Sequence, residues 1–157
     1  MTGSQNLHPG VQGVDGHAPG AGGAVLAQRL RRCLVEHARV SWPEEACGLL
    51  LGRNGRVEDL VWLRNRSSNP RQYYELDPLE YMHAERQSEQ RGLSVLGIWH
   101  SHPASAAAPS ATDERDAWAG WLYVIVGMPR NHVPDVRGWR LENGRLRQVI
   151  LNVGQGE

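Results

Sequence analysis

Apolar residues recur along this chain in two rhythms, one near 3.6 residues and one of short continuous runs, and these divide it into helices and strands. Leu26, Leu30, Cys33, Leu34 and His37 fall at helical spacing, with Arg29, Arg31, Arg32 and Glu36 largely off that face. This predicts a helix over about 24–38, and Pro43 keeps it from continuing. ACGLLLG (46–52) and RVEDLVWL (56–63) are apolar runs of strand length joined through Asn54-Gly55, a hairpin turn signal. YYEL (73–76) reads as a further short strand. At DPLE, Asp77 can cap, Pro78 suits the first helical position and Glu80 stands three residues after the cap. The helix that follows runs to about Arg91, where Gly92 ends it.

LSVLGIWH (93–100) and WLYVIVGM (121–128) are unbroken apolar runs, so both are expected as central strands covered on two faces. Between them SATDERDAWAG predicts a short helix with Ser110 at its cap. DVRGWRLENGRLRQVILNV, at the end, predicts a hairpin turned at Asn143-Gly144. Helix, strands, helix, strand, helix, strands: the order specifies an α/β domain on one mixed sheet over residues 24–157. Residues 1–23 are rich in glycine, with Val11 and Val14 as their only β-branched apolar residues, and are expected to be a disordered tail. His8 and His17 lie in that tail.

Composition narrows the function. The 157 residues suffice for one domain. Seventeen basic residues, all arginine, balance seventeen acidic ones, so no nucleic-acid footprint is visible and no such partner is expected. No segment approaches the roughly 20 apolar residues that span a bilayer, and the N-terminus lacks the pattern of a signal peptide. Cys33 and Cys47 each sit in an apolar pattern and read as small buried hydrophobes of a reduced protein, which is expected in the cytoplasm.

The chemistry lies in GIWHSHPASAAAPSATDERDAW (97–118). His100 and His102 stand at i and i+2 at the end of an expected central strand, so both side chains point the same way. Pro103 and Pro109 keep the following loop irregular, and it returns Asp113 in the first turn of a helix. Two imidazoles and one carboxylate leave a fourth tetrahedral position open, the ligand count of a catalytic zinc. A lone histidine at a strand end is ordinarily just a boundary residue, and Ser110 with Asp113 makes a capping pair without any metal. The pair of histidines, their spacing and the buried strand before them favour the metal site. Asp116, one turn on, is a reserve ligand; His37, His83 and His132 read as boundary, helix-surface and loop residues, and Cys47 as core.

HSHPASAAAPSATD resembles the signature of the JAMM (MPN+, Mov34/PAD-type) zinc metalloproteases: His, any, His, Pro, five residues, Pro, Ser, two residues, Asp. WPEEACGLLLG resembles the family's other element, a glutamate just before a buried strand, and the likeness runs from about residue 25 to the end. The resemblance implies the JAB/MPN fold, a curved mixed sheet flanked by helices of the cytidine-deaminase-like kind. It also implies His100, His102 and Asp113 as zinc ligands, Ser110 as a helper to the oxyanion and Glu45 as the acid/base. Strand alternation at PEEACG would set Glu44 and Glu45 on opposite faces, and the family pattern selects Glu45. Family enzymes cleave the amide bond after the C-terminal Gly-Gly of ubiquitin or ubiquitin-like proteins. The chain is too short for the inserted segments that clamp ubiquitin, so the resemblance implies a ubiquitin-fold sulfur carrier as substrate. Competing readings are a non-catalytic MPN interaction scaffold, a RadC-like DNA-associated domain, and a peptidase of cell-wall or phage-tail processing. The PEEACG element and the neutral charge oppose the RadC-like one.

Overall fold

A computed structural model describes residues 23–155, so the expected N-terminal tail lies, but for its last residue, outside the described residues. The elements are β1 (Ala24–Leu26), α1 (Gln28–Ser41), β2 (Cys47–Arg53), β3 (Arg56–Leu63), α2 (Pro78–Gln90), β4 (Ser94–His102), α3 (Ala111–Asp116), β5 (Leu122–Gly127), β6 (Asp135–Glu142), β7 (Arg145–Val149) and β8 (Leu151–Asn152). The strands form one mixed sheet in the order β7-β6-β5-β4-β2-β3-β1-β8. β4 runs parallel to β5, and β1 runs parallel to β3 and β8. The remaining pairs are antiparallel.

β7 and β8 are separated only by Ile150, yet they stand at opposite ends of this order. The sheet therefore curls until its two edges meet. Gly138 marks the closure, because a Cβ there would run into Leu151 and Val149. The concave side is filled by Leu30, Leu34 and Ala38 of α1 against Leu50, Trp99, Val124 and Val126. Those three α1 residues repeat at i, i+4 and i+8, one stripe of the helix. The other face holds Tyr81 and Ala84 of α2 against Leu49, Leu51, Ile98 and Tyr123. Strand alternation is thus visible in β4, where Trp99 belongs to one side and Ile98 to the other. The Trp99 indole crosses over Gly48 to donate to the Val61 carbonyl at 3.1 Å, a path that a side chain at 48 would block.

Both hairpins, the central position of β4 and β5, α3 and the extent of α2 follow the sequence pattern. Asn54-Gly55 and Asn143-Gly144 all take positive φ, as a tight right-twisted hairpin requires. Four expectations need correction. Ala24–Leu26 is a strand rather than the first turn of α1, because pairing with β3 and β8 overrides a weak local preference. YYEL is not a strand: only Leu76 bridges, to Asn65, and the backbone before it is held partly by the Asn65 side chain and partly by local backbone bonds. Cys33 is exposed, flanking the buried stripe of α1. Glu80 accepts from the Arg64 N–H instead of closing a capping box, while Asp77 caps α2 as expected. Among the described residues no helix is long and apolar enough to cross a membrane.

Candidate metal centre

β4 is the element that builds the centre. It continues through His102, so His100 and His102 are successive residues on the Ile98 face, with Ser101 on the Trp99 face. His100 lies opposite Cys47 of β2 and Ile125 of β5, and His102 lies opposite Gly127. The pair therefore sits at the C-terminal ends of the parallel strands β4 and β5, inside the sheet. His100 is 1 % exposed and His102 9 %. The loop of residues 103–110 then folds directly over β5, where a Cβ on Gly127 would strike the backbone of Ala106 and Ala107. The Trp139 indole N–H donates to the Ala107 carbonyl at 3.1 Å and fixes the loop from β6.

The loop ends at Ser110, which caps α3 with both halves of a capping box. Its hydroxyl accepts from the Asp113 N–H at 3.0 Å, and its own N–H donates to Asp113 Oδ2 at 2.8 Å. α3 buries none of its residues, so these polar bonds, rather than packing, aim the Asp113 carboxylate. Asp113 Oδ1 lies 3.2 Å from His100 Nε2, Oδ2 lies 3.1 Å from His102 Nε2, and the two Nε2 atoms are 3.2 Å apart.

These three side chains bring ring nitrogens and carboxylate oxygens within 3.2 Å of one another, and a cation can take the place of the protons they otherwise share. His102 Nδ1 is 3.0 Å from the Ala106 carbonyl, which can only accept, so this nitrogen carries a proton, and in the neutral ring Nε2 is the atom left to bind a metal. A tetrahedral ion with bonds of about 2.0–2.1 Å sets its ligand atoms about 3.3 Å apart; the Nε2–Nε2 separation of 3.2 Å matches this, and Asp113 faces each ring with a different oxygen. The donor set of two imidazoles and a carboxylate suits zinc. The residues therefore fit the metal.

Glu45 approaches from the turn before β2. A ligand atom of each of Glu45, His100 and His102 lies within 4.8 Å of the others. Glu45 is 4 % exposed, and its Oε2 has no hydrogen-bond partner among the described residues; nor has His100 Nδ1. Burial pushes its carboxyl up to about 7, with Asp113 adding to the rise and the two histidines opposing it. For Asp113, burial also pushes upward, but the His100 charge and the bonds from His100, His102 and the Ser110 N–H outweigh it. Its carboxyl is held well below the usual carboxylate range. For His102, burial lowers the pKa, and the bond and charge of Asp113 more than offset it, giving a net rise.

All five residues singled out from the sequence are brought to this corner of the fold: Glu45, His100, His102 and Asp113 converge, and Ser110 is bonded to Asp113. Glu44 is exposed and Glu45 buried, but both precede β2 in a turn, so strand alternation is not what separates them. Asp116 pairs with Arg115 at 3.0 Å, and the Cys47 thiol points to the Leu63 carbonyl at 3.7 Å. His37 is half-buried, its ring centroid 4.6 Å from that of Trp62 and 5.9 Å from that of Trp99; His83 and His132 are exposed.

Two contributors carry no sequence signal of their own. Tyr74 stacks its ring on His100, centroids 4.5 Å apart and planes 26° apart. Ser101, between the histidines, accepts the Ala46 N–H at 2.8 Å and donates its own N–H to the Ala46 carbonyl at 3.0 Å. It thereby clips the residue after Glu45 to the strand that bears the histidines.

Comparison with known proteins places these features in a family. The model of a family described as prokaryotic homologs of the JAB domain matches residues 27–142, a span holding all five residues. The CysO-cysteine peptidase of Mycobacterium tuberculosis is 34 % identical over 136 residues, covering 82 % of this chain and 90 % of that protein. The desampylase of Pyrococcus furiosus is 42 % identical over 112 residues, 69 % of this chain and 76 % of the relative. A protein from Desulfitobacterium hafniense has a solution structure similar at a TM-score of 0.73 and 32 % identity, covering 82 % and 92 % of the two chains. A JAB1/MPN domain protein from Archaeoglobus fulgidus shares the fold at a TM-score of 0.57 and 20 % identity, over 84 % and 97 % of the chains.

Proposed function

The chain belongs to the prokaryotic JAB-domain family, and we propose that it is a zinc-dependent peptidase cutting the amide bond after the C-terminal Gly-Gly of a ubiquitin-like or sulfur-carrier protein. The observation that carries this reading is the convergence of Asp113 with the Nε2 atoms of His100 and His102, beside a buried and unpartnered Glu45. Relatives named CysO-cysteine peptidase and desampylase support the substrate class.

His100, His102 and Asp113 would hold the zinc: the two Nε2 atoms lie about a tetrahedral edge apart, and an Asp113 oxygen faces each of them. When bound there, zinc supplies Lewis acidity, acidifying water and polarising a carbonyl. Glu45 also lies near the two histidines, and its buried Oε2, without a hydrogen-bond partner among the described residues, suits a group that handles a proton beside the metal. Its carboxyl, raised to about 7 by burial, takes a proton from the attacking water and hands one to the leaving amine. The Ser110 hydroxyl spends a lone pair on the Asp113 N–H and keeps its own hydrogen to donate to the oxyanion of the tetrahedral intermediate. Two unpaired thiols support action in a reducing compartment, the cytoplasm.

Incubation with a ubiquitin-fold sulfur carrier extended past its Gly-Gly, followed by mass spectrometry of the products, tests the reading. The expected product is the carrier ending at Gly-Gly, with ubiquitin chains left intact. An untouched carrier alongside rapidly cleaved ubiquitin chains would overturn the choice of substrate.

A further inference from the structure

The segment between β3 and α2, residues 64–77, forms neither helix nor ladder, yet it lies against the centre. One side chain organises it. Asn65 Nδ2 donates to the carbonyls of Glu45 at 3.0 Å, Tyr73 at 2.9 Å and Pro70 at 3.4 Å. Its Oδ1 accepts the N–H groups of Ser67 at 3.0 Å and Glu75 at 3.1 Å. The Pro70 carbonyl in turn accepts the Glu45 N–H at 2.7 Å. Both backbone polar groups of Glu45 are therefore tied to the Asn65 amide, the carbonyl directly and the N–H through Pro70.

The same amide holds Tyr73 and Glu75, the two neighbours of Tyr74, whose ring covers His100. Only a carboxamide can donate and accept in this pattern: a carboxylate of the same shape keeps the two acceptor bonds and loses all the donor bonds.

We propose that Asn65 is the positioning residue for Glu45, fixing the backbone on both sides of the base and setting the Tyr74 segment over His100. This rests on the reading of Glu45 as acid/base. Asn65 touches no ligand, so it acts on proton handling and leaves metal binding alone.

The test uses Asn65→Asp, which preserves volume, and Asn65→Ala, each in the wild-type and the Glu45→Gln backgrounds. Turnover of the extended carrier, zinc content, and hydrogen exchange of the Glu45 amide in metal-free protein are measured. Misplacing a base by a fraction of an ångström to one ångström lowers kcat by about 10- to 100-fold, and KM should stay within about threefold. Zinc content should be unchanged, and the Glu45 amide should exchange at least about tenfold faster. In the Glu45→Gln background the same substitution should change kcat by less than about twofold, because the group it positions is gone. A cost that carries over undiminished into that background overturns the proposal, as does an unaltered Glu45 amide exchange. If Glu45→Gln itself remains active, the acid/base assignment fails separately, and amide exchange still decides whether Asn65 holds that backbone.

Discussion

Ser101→Ala should loosen the base without touching the metal. The Ser101 hydroxyl accepts the Ala46 N–H at 2.8 Å, and both residues are 1 % exposed, so no solvent can replace the lost acceptor. Leaving a buried backbone N–H unsatisfied costs about 1–3 kcal/mol. For a domain of this size each kcal/mol moves Tm by about 3–4 °C, so the melt should fall by about 3–12 °C. Turnover should fall as well, because Ala46 directly follows Glu45. A shift of about 1 Å can cost about 100-fold. The Ser101 N–H still reaches the Ala46 carbonyl at 3.0 Å and limits that shift, so a loss on the order of tenfold is expected. Zinc content should match the wild type, since Ser101 faces away from His100 and His102. Thermal melting, metal analysis and turnover on the extended carrier are the three assays. A variant that melts and turns over like the wild type would refute the clip between β4 and the turn before β2. Loss of zinc would show instead that Ser101 acts through the ligands.

Protein purified without chelator should hold close to one zinc per chain, and His102→Ala should fall well below that; full retention would remove His102 from the ligand set. Ser110→Ala should lower kcat by about 100- to 1000-fold through loss of an oxyanion donor, while zinc falls less than in His102→Ala because the backbone N–H of residue 110 still holds Asp113. Cys33 is exposed, whereas Cys47 is buried with its thiol pushed up to about 12, so iodoacetamide should label the native protein once, at Cys33, and the unfolded protein twice. Labelling of both in the native state would mean that β2 opens.

Most of this architecture is legible because the sequence states it locally. Asn-Gly pairs fix the two hairpins, Asp77-Pro78 and Gly92 bound α2, and the unbroken runs before His100 and around Val124 mark central strands. The proposed zinc set is equally local: strand alternation brings His100 and His102 to one face, and a capping box returns Asp113. What the sequence hides is held together over distance. Ala24–Leu26 has no strand signal and becomes one because β3 and β8 close the sheet around it. The curl itself depends on a single residue, Ile150, joining the two edge strands. YYEL looks like a strand, but it makes only one bridge, Leu76 to Asn65, with the Arg66 N–H donating to the Glu75 carbonyl, and the Asn65 side chain takes the Tyr73 carbonyl and the Glu75 N–H. The family pattern selects Glu45 over Glu44, and the physical reason is the approach to β2, which buries one and exposes the other.

In the proposed mechanism Glu45 performs the proton transfer beside a metal that His100, His102 and Asp113 would hold. Its most direct test is a paired measurement of zinc content and turnover on the extended carrier for Glu45→Gln and Glu44→Gln. Glu45→Gln should keep its zinc and lose about 100-fold or more in turnover, while Glu44→Gln, altered only on the surface, stays within a few-fold of the wild type. A dead Glu44→Gln, an active Glu45→Gln, or a Glu45→Gln that has lost its zinc would contradict the account.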